Sequence, residues 1–79
     1  MSNPDIQRAI DQSIDSYLAH LDGQHSGQLY ALMIGEAEAA LLRNVLRRCD
    51  NNQSQAAKLL GITRNTLKKK MCAHGLYKL

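Results

Sequence analysis

The residues of this chain best suited to chemistry lie between Asn52 and Gly75, in the stretch NQSQAAKLLGITRNTLKKKMCAHG. Arg64, Asn65, Thr66, Lys68, Lys69 and Lys70 surround a single apolar row, Leu67 and Met71. On a helix this arrangement buries one row and turns a polar, cationic surface outward. Guanidinium, amide and ammonium groups donate to phosphate oxygens and to base edges in a major groove, so the chemistry on offer is recognition of a polyanion. A lysine run alone is ordinarily a solvated helix end, where cations suit the dipole. The residues around this run raise it above that reading.

Asn52 is placed to cap a helix whose third position is Gln55, a pairing like a capping box in which each side chain reaches the other's backbone amide. A short helix is predicted from Gln53 to Leu60. Gly61 then supplies a residue that accepts a left-handed backbone, and the Thr63 hydroxyl is positioned to cap a second helix. Ala57, four residues before Gly61, lets the two helices approach closely, with Leu60, Ile62, Leu67 and Met71 on the inner face. Helix, tight turn and helix over residues 52–75 are the layout of a helix-turn-helix, whose second helix meets DNA.

Other chemistries are poorly supplied. His20, His25, His74, Cys49 and Cys72 form no nucleophile and base set, so no enzyme is expected and each histidine reads as a surface residue. Neither Cys72 with His74 nor His20 with His25 stands at i and i+4, and no further cluster completes four ligands, so no metal and no cofactor is expected. Cys49 and Cys72 fall in no CxxC pair and the N-terminus resembles no signal peptide, which points to reduced thiols in the cytoplasm. Charge supports a polyanionic partner. All seven acids (Asp5, Asp11, Asp15, Asp22, Glu36, Glu38, Asp50) lie in the first fifty residues, while Lys58, Arg64, Lys68, Lys69, Lys70 and Lys78 follow without any acid, for a net charge of +3. A membrane surface explains this less well, because the lysine-rich helix has a narrow apolar face and the chain has no Trp or Phe. No small-molecule ligand is expected.

Two further helices must position this unit. Asn3 and Pro4 suit a helix start, and Ile6, Ile10, Ile14, Tyr17, Leu18 and Leu21 recur at steps of three and four, so an amphipathic helix is predicted from Pro4 to near Asp22 and Gly23. A loop follows over Gly23 to Gly27, with Ser26 the expected cap of the next helix. From Gln28 to Cys49 nearly every residue favours helix, and Leu29, Leu32, Met33, Ala37, Ala40, Leu41, Val45 and Leu46 spread apolar groups around much of its circumference. Arg43, Arg47 and Arg48 suit its C-terminal dipole, with Arg47 or Arg48 also able to reach a phosphate. Such a helix needs partners on more than one side, and 79 residues form a single domain too small for a comfortable core. The first helix and the C-terminal pair cover part of it, and a second copy of the chain is the simplest cover for the rest. The expected dimerisation residues over 4–50 are Ile10, Ile14, Tyr17, Leu21, Leu29, Met33, Ala37 and Leu41.

The stretch NNQSQAAKLLGITRNTLKKK resembles the helix-turn-helix of the Fis family, small nucleoid-associated bacterial proteins, a module also found at the end of enhancer-binding activators. DGQ after the first helix, LY opening the second and EAEAALL in its middle extend the likeness from about Ile6 to Gly75. The resemblance implies an all-α, four-helix protomer. Its first two helices would interlock with those of a partner as a homodimer core, presenting two C-terminal helix-turn-helix units to double-stranded DNA. Spacing the two recognition helices closer than a DNA turn bends the duplex, so selectivity would be loose and carried partly by DNA shape.

The resemblance also implies roles for single residues. Arg64 matches an arginine that reads a guanine edge, and Asn52, Thr66, Lys68, Lys69 and Lys70 match phosphate-binding positions. Ser54 and Gln55 fall where the family carries hydroxyl and arginine contacts, so Gln55 weakens one charge contact. Thr63 stands in place of an asparagine facing the bases, and Asn65 shares the polar start of the same helix. Cys72 and Ala73 replace lysines, which reduces cationic reach on flanking DNA. Ala40 replaces a proline that interrupts the long helix. The chain begins just before its first helix, without the family's N-terminal β-hairpin arm, so recombination stimulation is not implied. Two other functions fit the same residues: a site-specific transcriptional regulator, and a helical adaptor whose basic helix binds an acidic protein.

Overall fold

The computed structural model describes residues 2–21 and 27–77, and among them the chain is all helical. The elements are α1 (Pro4–Leu21), α2 (Leu29–Arg48), α3 (Gln53–Leu60) and α4 (Arg64–Ala73). They group into two compact units, Met1–Met33 and Ile34–Leu79, each described by itself. Ser26, the expected cap of α2, lies outside the described residues, as do Asp22, Gly23, His25, Lys78 and Leu79.

In the first unit, Asn3 Oδ1 accepts from the Asp5 and Ile6 amides at 3.0 and 3.2 Å, satisfying donors that a helix start leaves free. The helix α1 contains no buried residue. Of its apolar row, Ile6 and Ile10 are exposed, while Ile14, Tyr17 and Leu21 are half-buried.

In the second unit, α2 contributes Leu42, Val45 and Leu46 to a core completed by Ala56 and Ala57 of α3 and Leu67 and Met71 of α4. Leu42 and Leu67 are fully buried, and each such leucine contributes about 1.5–3 kcal/mol by leaving water. The alanines matter by their size: Ala56 and Ala57 present so little side chain that the backbone of α3 lies close to its neighbours. Helix α2 continues without interruption through Gly35 and Ala40. Its outer side is apolar as well, with Ile34 at 52% and Leu41 at 53% exposure. Leu41, expected at the dimer seam, is exposed, and the adjacent Leu42, which the sequence did not mark, fills the core.

The connection from α2 to α3 turns on two left-handed residues without glycine, Asp50 at φ 51° and Asn51 at φ 63°. Their short polar side chains make this conformation tolerable. The Asn51 amide donates to the Leu46 carbonyl at 2.8 Å and the Asp50 amide to that of Arg47 at 3.2 Å, closing the end of α2 before the chain reverses into α3.

Candidate nucleic-acid interface

Helix α3 starts at Asn52, whose Oδ1 accepts from the Gln55 amide at 3.1 Å. The reciprocal half of the expected capping box is not made, because the Asn52 amide is already donated to the Cys49 carbonyl at 2.9 Å. The left-handed turn that ends α2 supplies this nearer acceptor, leaving Gln55 exposed beside Ser54. At the other end of α3, Gly61 adopts φ 78°, and the Ile62 amide reaches back to the Ala57 carbonyl at 3.1 Å. The chain then opens α4 at Thr63, whose Oγ1 accepts from the Thr66 amide at 3.1 Å and donates to Thr66 Oγ1 at 2.8 Å. Thr63 and Thr66 thus fix one another at the start of the second helix.

On α4 the faces divide cleanly. Leu67 and Met71 point into the core, whereas Arg64, Asn65, Lys68 and Lys69 are exposed together. Cys72 and Ala73 continue the exposed surface without charge. At the end of α4, Gly75 takes φ 69° and the Leu76 amide donates to the Met71 carbonyl at 2.7 Å. Leu76 folds back against the core and Tyr77 follows it. The Lys68 ammonium lies 5.3 Å from the centre of the Tyr77 ring.

Lys70 differs from its neighbours. Its Nζ lies 2.7 Å from Glu38 Oε2, and His74 Nε2 lies 2.8 Å from Glu38 Oε1. One carboxylate on α2 therefore holds two side chains one turn apart, Lys70 on α4 and His74 at its C-cap. Lys70, expected to face phosphate, is paired within the chain, and His74, expected on the surface, has only 18% of its side chain exposed. The sequence held a partial signal, since Lys70 and His74 at i and i+4 share a helix face. Nothing in sequence spacing pointed to Glu38.

The hydrogen bonds from Lys70 first, then from His74, hold the Glu38 carboxyl below the usual 4.5. A depressed carboxylate contributes stability that is complete above its unfolded pKa and is lost as pH falls through the folded value. Glu38→Gln should therefore cost about 1 kcal/mol at neutral pH, the scale of a partly exposed charged hydrogen bond. The gap between variant and wild type should close as the solution is acidified below pH 4.5. Urea unfolding followed by circular dichroism across this range checks both parts.

The remaining expected contacts, Asn52 at the start of α3 and Ser54 and Gln55 on its first turn, are exposed, as is Lys58. Of the arginines at the end of α2, Arg48 Nε donates to Asn44 Oδ1 at 2.8 Å. Among the described residues, no helix is long and apolar enough to cross a membrane.

Comparison with known proteins agrees with this architecture. The family described as bacterial regulatory protein, Fis family, matches residues 34–74, which span most of α2 and both helices of the helix-turn-helix. A Ralstonia nicotianae protein named as a Fis-like DNA-binding protein is 45% identical over 76 residues, covering 96% of this chain and 99% of the relative. A similarly named protein of Neisseria meningitidis is 40% identical over 92% of both chains. The DNA-binding protein Fis of Pasteurella multocida is 37% identical over 96% of this chain and 77% of its own length. A match that runs through α1 and α2 as well as through the helix-turn-helix extends the likeness beyond one shared module, and on it the chain belongs to the Fis family.

Proposed function

We propose that the protein is a dimeric, weakly sequence-selective DNA-binding and DNA-bending protein that organises the nucleoid and regulates transcription in the bacterial cytoplasm, and that it is not an enzyme. The observation that carries this reading is the exposed set Arg64, Asn65, Lys68 and Lys69 on a helix capped at its start and braced by Leu67 and Met71. A recognition helix needs this combination: a fixed axis, and donors on the side turned away from the core. Arg64 offers a bidentate donor to guanine. Asn52, Thr66, Lys68 and Lys69 are suited to phosphate oxygens, which position the protein without reading sequence. Each phosphate neutralised by a cation should steepen the logarithmic salt dependence by about 0.9.

The exposed apolar side chains of α2, Ile34 and Leu41, support the dimer, because a second copy would cover them. Two recognition helices held by a rigid pair of subunits require successive grooves to fit one fixed spacing, and bending the duplex meets that requirement. A gel shift with circularly permuted fragments, each carrying the site at a different distance from the end, tests binding and bending together. The expected result is a complex that migrates slowest when the site is central. Mobility independent of position would remove bending, and no shifted band would remove DNA binding.

A further inference from the structure

Next to the exposed face of α4 lies a shallow depression lined by Gln53, Arg64, Asn65, Lys68 and Tyr77. Four of these belong to α3 and α4, and the fifth comes from the chain after α4. The turn at Gly75 brings it there: closure of the Leu76 amide on the Met71 carbonyl sends the chain back along α4, and Tyr77 packs partly against the core. Its ring meets the Lys68 ammonium at 5.3 Å, within the range of a cation–π contact.

We infer that Tyr77 is a positioning residue of the DNA interface, which holds Lys68 at the lip of a depression that receives a DNA phosphate. This rests on the DNA-binding reading given above. The chemistry of the lining supports a phosphate. Arg64 and Lys68 supply positive charge, Gln53 and Asn65 supply amide donors, and among the described residues no acid lines the depression. A free lysine loses much rotamer freedom when it binds an anion. A lysine already resting on an aromatic face has lost part of it, so the pairing with phosphate costs less. Lys68 is exposed as a residue while its ammonium lies over the ring, which leaves it room to meet a phosphate.

The test compares Tyr77→Phe, Tyr77→Leu, Lys68→Ala and the Tyr77→Leu/Lys68→Ala pair in the full chain, by titration against a labelled duplex over a salt series. Phenylalanine keeps the ring and leucine keeps an apolar contact with the core without a π face. Thermal unfolding of each variant sets a temperature at which all are folded. Tyr77→Phe should bind as wild type, and Tyr77→Leu should bind about two- to fivefold more weakly on every duplex sequence, the scale of an exposed cation–π contact. In the Lys68→Ala background the leucine substitution should cost nothing further, because its effect acts through Lys68. Equal losses from Tyr77→Leu with and without Lys68, or no loss at all, would overturn the inference. Were wild type itself to bind no duplex, the parent reading would fail and this one with it. Wild-type binding with a neutral Tyr77→Leu sinks the tyrosine's role alone.

Discussion

Replacing Ile34 and Leu41 together with glutamate should convert the particle seen by light scattering at micromolar concentration from twice 8.8 kDa to 8.8 kDa. Both side chains are more than half exposed, while the same helix carries Leu42, 1% exposed, in the core of its own chain. The substitutions therefore reach the outer side of α2 without opening the core beneath it. If a second copy covers that side, two-fold symmetry repeats each change, and burying the exposed half of four such side chains contributes on the order of 3 kcal/mol at the low end of their transfer energies. Facing carboxylates add repulsion. The helix-turn-helix should keep its helical signal but lose most duplex affinity, because two linked units bind with an effective concentration that a single unit lacks. Wild type scattering as a single chain would remove the two-groove geometry, and a variant still dimeric would place the interface elsewhere.

Arg64→Ala should lower affinity for a preferred site by about five- to 150-fold, the 1–3 kcal/mol of a bidentate arginine–guanine contact, while lowering affinity for unrelated duplexes far less. Arg64 follows the cap residue Thr63 directly, so its side chain leaves α4 from the first turn, where a recognition helix enters the groove. Its replacement leaves Leu67, Met71 and the threonine pair in place. Competition titrations with specific and random duplexes separate the outcomes. Equal losses on all sequences would make Arg64 a phosphate contact. Unchanged duplex binding would favour the adaptor reading, in which the basic helix meets an acidic protein.

The sequence and the structure agree most closely where the deciding groups are neighbours in the chain. Asn52 with Gln55, Gly61 with Ala57, Thr63 with Thr66 and Leu76 with Met71 all form within five residues, so residue type and spacing specify them. These four closures fix where α3 and α4 begin and end, and the helix-turn-helix was legible from them. The one local pairing misread, the return bond from Gln55, failed because Asp50 and Asn51 take left-handed conformations that bring the Cys49 carbonyl to the Asn52 amide. Neither residue is a glycine, and although Asp and Asn tolerate the left-handed conformation, their types alone do not say that both adopt it here.

By itself, the sequence determined that the chain is helical, where its helix-turn-helix lies, and that Arg64, Asn65, Lys68 and Lys69 of α4 turn outward. Periodicity and capping depend on contacts within one or two helical turns, and these survive without knowledge of the rest of the chain. Tertiary structure alone decided which of two adjacent leucines, Leu41 or Leu42, enters the core, since successive residues differ by about 100° around a helix axis and both are apolar. It also decided the fate of the charges. An end that carries no acid in sequence receives one from α2: Glu38 pairs with Lys70 and His74, while the Lys68 ammonium lies over the Tyr77 ring. The Glu38 pairings join residues more than thirty positions apart, and their existence depends on how the turn at Asp50 and Asn51 directs α3 and α4 back toward α2. Residue spacing along the chain holds no record of that direction.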